Sequence, residues 1–194
     1  HPSQNLNKLA TSYLAFLAAA LDYDSGRFRN FMSHGREWLE DAGSEDSHCR
    51  GLWALGVGAA KSRNEGHRRL CVQLFDRGLF AVKSFPSPRA WAFALIGIHE
   101  YLQAYPDKDE TLLARRQLTS ELVRIWNACA TEDWPWFELS ATYDNARLSQ
   151  ALISSGNAMR DPVMEEIGFK SLRWLMSLQK TQAGHFGPIG SNGF

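Results

Sequence analysis

The chain has 194 residues, 44% of them hydrophobic and 12% aromatic, which is ample material for the core of a soluble globular fold. Its 21 basic and 21 acidic residues cancel, so no electrostatic footprint for nucleic acid or an anionic membrane surface is expected. No apolar run approaches the roughly 18 residues of a membrane span, and residues 1–7 lack the charged and apolar regions of a signal peptide.

The spacing of Leu9, Tyr13, Leu14, Leu17 and Leu21 predicts a first helix over about residues 5–22. A long irregular stretch with Gly26, Gly35 and Gly43 follows, to residue 45. Asp46 or Ser47 is the expected cap of a second helix running to about Lys61. A third helix is predicted over about 66–83, through Leu70, Leu74, Phe75, Gly78 and Val82. Pro86, Pro88 and Pro106 bracket a fourth over about 88–104.

The fifth, over about 109–130, presents Leu118, Leu122, Ile125, Trp126 and Cys129. A second irregular stretch, 131–142, contains Trp134, Pro135, Trp136 and Phe137. The sixth helix is placed at about 144–158, and the seventh starts at the Asp161-Pro162 cap and ends near Lys180. Short strand pieces are conceivable only at 28–31 and 134–137. Cys49, Cys71 and Cys129 lie inside helical patterns with no metal-ligand spacing. They read as small buried hydrophobes in a reducing compartment, the cytoplasm, and no metal or cofactor is expected.

The even-numbered helices are poor in charge and rich in Ala, Gly and Ser, as helices buried on most sides are. Helices three, five and seven each pair an apolar stripe with a charged face. A short element recurs at the entrances of the inner set: Ser47–Gly56, then Ser87–Gly97, then Asp144–Leu152, each placing an arginine before small residues. The interval from Ala94 to Ala151 exceeds that from Ala54 to Ala94, whereas regular helical solenoids hold a fixed period. The surplus sits in loops before inner helices. That pattern predicts an all-α fold, an (α/α) toroid of helical hairpins whose entrance loops build a site. A plain protein-binding solenoid is disfavoured.

Those loops hold the chemistry-bearing side chains. Glu40, Asp46, Glu138 and Asp144 are the candidate acids, because glycosidic chemistry needs two carboxylates a fixed distance apart. Trp134, Trp136 and Tyr143 offer flat faces for sugar rings, and Asn145, Arg147, Arg50, His48, His185 and Asn192 offer hydrogen bonds to hydroxyls. Each has a second reading. Asp46 and Asp144 also suit helix caps, Arg50 and Arg147 suit loop braces, and Trp134 and Trp136 suit core plugs. His48 and His185 equally suit hydrogen-bonded structural positions. Phosphate-binding glycine loops, HExxH, GxSxG, DDxxD and prenyltransferase-like zinc spacing are all missing.

The segments Gly26–Met32, Ser44–His48, Trp136–Glu138, Tyr143–Leu148 and the Gly184-His185-Phe186 run ending Gly190–Phe194 resemble a bacterial carbohydrate-active family. Its members are helical toroid domains described as glycosyltransferase- or mannosyltransferase-like, similar in fold to six-hairpin glycosidases. The resemblance covers most of the chain and is most specific over Trp136–Glu138 and Tyr143–Arg147. It implies one α/α-toroid domain over 1–194 that acts on or binds a mannoside-like glycan in a glycosyltransferase system. Expected partners are an oligosaccharide and a glycosyltransferase. The same family continues beyond the Gly-Ser-Asn-Gly-Phe segment into further hairpins. On that comparison the chain is expected to be a fragment of about three and a half hairpins, inactive by itself, with apolar inner-helix surface exposed.

Overall fold

The computed structural model describes the backbone of residues 2–189 and the side chains of residues 5–189. Among these residues the protein is all-α: α1 (Pro2–Ala20), α2 (Glu45–Lys61), α3 (Glu65–Leu79), α4 (Pro88–Ala104), α5 (Asp109–Cys129), α6 (Ala146–Met159) and α7 (Pro162–Leu178), with a 3-10 turn at Phe80–Ser84. The extended pairings are isolated bridges, Leu21 with Phe28, Met32 with Trp38 and Lys180 with Phe186, so the strand pieces considered at 28–31 and 134–137 do not form. No described helix is long and apolar enough to cross a membrane.

Helix starts follow local capping chemistry. Ser44, not Asp46 or Ser47, caps α2: its hydroxyl accepts the Ser47 N–H at 3.1 Å, and Glu45 and Asp46 fall in the first turn, facing the positive end of the helix dipole. Asn64 caps α3 and Ser87 caps α4 with proline at the first position. The Asp161 carboxylate accepts the Val163 and Met164 N–H groups at 3.0 and 3.1 Å to start α7. The third helix ends earlier than its apolar spacing suggests, tightening after Leu79 into the 3-10 turn.

The chain forms two compact units, His1–Ala114 and Arg115–Phe194, with the boundary inside α5. In the first, α2 packs against both α3 and α4, and α1 lies on α3. The charge-poor α4 is buried along most of its length, through Ala92, Phe93, Ala94, Leu95 and Ile98 among others. Its crossing with α2 is made backbone to backbone. A Cβ on Gly56 would stand 2.2 Å from the Gly97 carbonyl oxygen, and one on Gly97 2.8 Å from the Leu52 oxygen and the Trp53 Cα. Only glycine permits that approach.

In the second unit α6 and α7 form a hairpin around a two-residue connection. Ser149 and Ser171 hydroxyls meet at 2.8 Å inside the contact, and Ser171 also donates to the Gly168 carbonyl at 2.9 Å. Next to the hairpin lies an aromatic cluster. Trp174 of α7 meets Trp134 at 4.7 Å and Trp136 at 5.4 Å between ring centroids, and Phe137 bridges Trp136 to Trp126 of α5. This cluster joins the buried Leu122, Leu148, Leu152 and Leu175 in the core of the unit and packs the irregular segment that precedes α6.

Candidate functional site

The segment Thr142–Arg147 leads from that aromatic core into α6. Asn145 is buried and closes a reciprocal pair with Thr142: the Thr142 N–H donates to Asn145 Oδ1 at 3.0 Å, and Asn145 Nδ2 donates to the Thr142 carbonyl at 3.1 Å. The turn so pinned holds Asp144 at φ +46°, a left-handed conformation that Asp tolerates better than most residues. α6 therefore begins at Ala146, two residues after the position Asp144 would take as its first residue. Arg147 leans along the first turn, donating from Nη1 to Gln150 Oε1 at 2.7 Å.

After α7 the chain folds back in a tight turn. Thr181 N–H donates to the His185 carbonyl at 2.9 Å, and Gly187 N–H donates to the Gln179 carbonyl at 2.7 Å. The Thr181 hydroxyl accepts the His185 N–H at 3.1 Å. These bonds carry Phe186 to the entrance of α6, where a cleft of about 450 Å³ is lined by Thr142, Asp144, Asn145, Arg147, Gln179 and Phe186, among others. Its size suits a small ligand. The Phe186 ring is 73% exposed, so it is a free face and not a core plug. The cleft thus brings Asp144, Asn145, Ala146 and Arg147 together with Phe186 within one unit, while Tyr143 and His185 are not among the described residues that line it.

The other expected site residues of this unit lie as follows. Tyr143 is exposed beside Asp144, and His185 is exposed in the turn. Glu138 is half-buried, and its backbone carbonyl accepts the Trp134 Nε1–H at 2.7 Å. Trp134 is half-buried against Trp174. Trp136 is fully buried, with no hydrogen-bond partner for its indole N–H. It offers no face to solvent. Asn192 lies outside the described residues.

In the first unit Glu40 and His48 hold the long loop between α1 and α2, whereas Asp46 and Arg50 pair within α2. One Glu40 carboxylate oxygen accepts the backbone N–H groups of Asn30 and of Phe31, the latter at 3.0 Å. Asp46 pairs with Arg50 at 2.7 Å, and the Arg50 guanidinium lies 4.1 Å over the Phe93 ring. His48 is completely buried: Nδ1 accepts the Phe28 N–H at 3.1 Å, so the proton resides on Nε2, which donates to the Gly78 carbonyl at 3.0 Å. Both ring nitrogens are occupied by backbone. Burial, reinforced by the charge of Arg27, pulls its pKa down to about 4 against the opposing Gly78 bond. Cys49 and Cys71 are buried free thiols with pKa values raised by burial, Cys71 to about 11. No cluster of His, Cys, Asp or Glu able to hold a metal occurs among the described residues.

Sequence reasoning missed Phe186, Gln179 and Thr142 as cleft residues, and Gly78 as the acceptor for His48. For Phe186 the signal was its place beside His185 in a segment already singled out. For Gly78 there was only a small residue on a helix face. No protein-family model matches the sequence, no curated protein matches it, and no solved structure matches its fold.

Proposed function

We propose that the protein is a carbohydrate-active domain of the α/α-toroid type, in which the Asp144–Arg147–Phe186 cleft contacts a mannoside-like glycan within a glycosyltransferase system. The observation that carries this reading is the union of an exposed aromatic ring with a carboxylate and a guanidinium in one cleft. A pyranose presents an apolar C–H face, suited to Phe186, and vicinal hydroxyls, suited to acceptance by Asp144 and donation from Arg147. Tyr143, exposed next to Asp144, extends the surface for a second sugar unit.

The helix arrangement is compatible with the toroid reading. The pairing of α2 with α4, the lodging of α3 on α2 and the α1–α3 contact suit an inner and an outer layer in the first unit. The α6–α7 hairpin suits the same scheme in the second. Three free cysteines suit a cytoplasmic setting.

Glycan binding without chemistry is the better supported form, because Asp144 is the one carboxylate among the described residues that line the cleft. Glu40 is engaged with backbone amides and Asp46 with Arg50. One observation favours catalysis: Asp144 is held in a left-handed conformation, and such strain recurs where a side chain must be aimed. Turnover of aryl mannosides and mannooligosaccharides separates the two. Hydrolysis or transfer abolished by Asp144→Asn or Glu138→Gln assigns catalysis. Binding without turnover assigns a module. Neither binding nor turnover across a panel of neutral glycans overturns the proposal.

A further inference from the structure

The 3-10 turn after α3 holds Phe80 in solvent, 67% exposed, and the ring forms a wall shared by two clefts that the Asp144 reading does not use. We propose that the cleft on the side of the first long loop binds an anionic monosaccharide, a sugar ring carrying a carboxylate or a phosphate. It is lined by Ser25, Arg27, Phe80, Ala81, Lys83 and Ser84 and measures about 330 Å³.

Its charge selects an anion. Arg27 and Lys83 line it, and none of the described lining residues is acidic. Arg27 is fixed in place, donating from Nη2 to the Gly43 carbonyl at 2.6 Å with its guanidinium 4.5 Å over the Phe85 ring. Lys83 is held loosely, 3.5 Å from a Glu110 carboxylate that is 82% exposed, so a ligand anion displaces that pair at little cost. On the Ser25 side, Asp22 accepts the Ser25 hydroxyl at 2.6 Å and is faced by Arg29 at 4.0 Å. The cleft on the other side of Phe80, about 340 Å³, is lined by Asp76 and Glu110 as well as Arg77 and Lys83. An anion is therefore directed to the acid-free side.

Two further features suit a sugar ring better than a bare anion. The exposed Phe80 ring, with the Lys83 ammonium 5.8 Å from its centroid, offers an apolar face to a ligand. Ser84 donates its proton to the Ala81 carbonyl at 2.9 Å, which leaves its oxygen lone pairs free to accept from a sugar hydroxyl. Inorganic phosphate at neutral pH supplies no apolar face, and a neutral sugar supplies no charge. An acidic sugar supplies charge, hydroxyl donors and a C–H face together. The cleft shares no residue with the Asp144 cleft, so each proposal can fail without the other.

The test is a titration of the full chain at low ionic strength with glucuronate, glucose 6-phosphate, glucose and inorganic phosphate, followed by calorimetry or amide chemical shifts. At least one acidic sugar is expected to bind ten-fold or more tightly than glucose or inorganic phosphate, and to weaken as salt rises. Lys83→Gln and Phe80→Ala should each weaken it ten-fold or more, with melting temperature unchanged because both side chains are on the surface. A preference for glucuronate identifies the carboxylate, and a preference for glucose 6-phosphate the phosphate. No binding of either acidic sugar, parity with glucose or inorganic phosphate, or an affinity that both variants leave unchanged overturns the proposal.

Discussion

Acidification should loosen the first unit through one proton on His48. The imidazole is enclosed by Phe28 and Phe85, at ring-centroid distances of 5.0 and 5.2 Å, and joins the long loop to α3 by its two backbone hydrogen bonds. Protonating it turns Nδ1 from acceptor to donor, and the Phe28 N–H loses its partner. The folded pKa is about 4, against 6.5 for the free side chain. Between those two values the unfolded chain binds the proton and the folded chain does not, so stability is fully present above about pH 6.5 and is lost as pH falls toward 4. At about 1.4 kcal/mol for each unit of pKa difference, the loss from this group is about 3 kcal/mol, a large share of a typical domain's stability.

Urea unfolding at half-unit intervals from pH 7 to pH 4.5 measures it. Carboxylates also titrate toward the acid end, so the reading is the difference between the wild type and His48→Asn. Asparagine keeps a donor and an acceptor but carries no proton in this range. The variant should be less stable at pH 7 and shallower in its pH dependence by close to one proton. Parallel pH profiles would show that His48 is not the buried neutral group described here.

Three other substitutions probe the packing. Gly97→Ala should destabilise by about 1–3 kcal/mol, since the new methyl meets the backbone of Leu52 and Trp53 and outweighs the helix-propensity gain of up to about 1 kcal/mol; thermal melts decide the sign. Asn145→Ala removes the reciprocal bonds to Thr142 and should cost about 1–3 kcal/mol in chemical unfolding. It should also weaken any ligand of the Asp144 cleft, because the turn that aims Asp144 is released. Asp161→Ala removes the cap of α7, for a loss of about 1 kcal/mol and faster amide exchange confined to the first turn of that helix.

What the sequence made legible follows from how each feature is encoded. α4 was bounded at both ends because Pro88 and Pro106 and the Ser87 cap are local signals, and the Asp161-Pro162 start of α7 is of the same kind. The early end of α3 was invisible because Leu79 and Val82 continue the apolar spacing through the 3-10 turn. The route of the first long loop was equally hidden, since Glu40 and His48 hold it by backbone amides that no residue pattern announces. In the candidate cleft, Asp144, Asn145 and Arg147 could be named from their contiguous segment. Phe186 reaches them only through a turn closed by main-chain hydrogen bonds between Gln179 and Gly187, a long-range consequence that spacing does not carry.

The most direct test of the glycan reading is an amide chemical-shift map of the chain titrated with mannotriose. The account predicts saturable shifts concentrated at Thr142–Arg147 and Gln179–Ile189, lost in Phe186→Ala while the rest of the spectrum is retained. Absent shifts at millimolar sugar, or shifts that leave both segments untouched and survive Phe186→Ala, would contradict it.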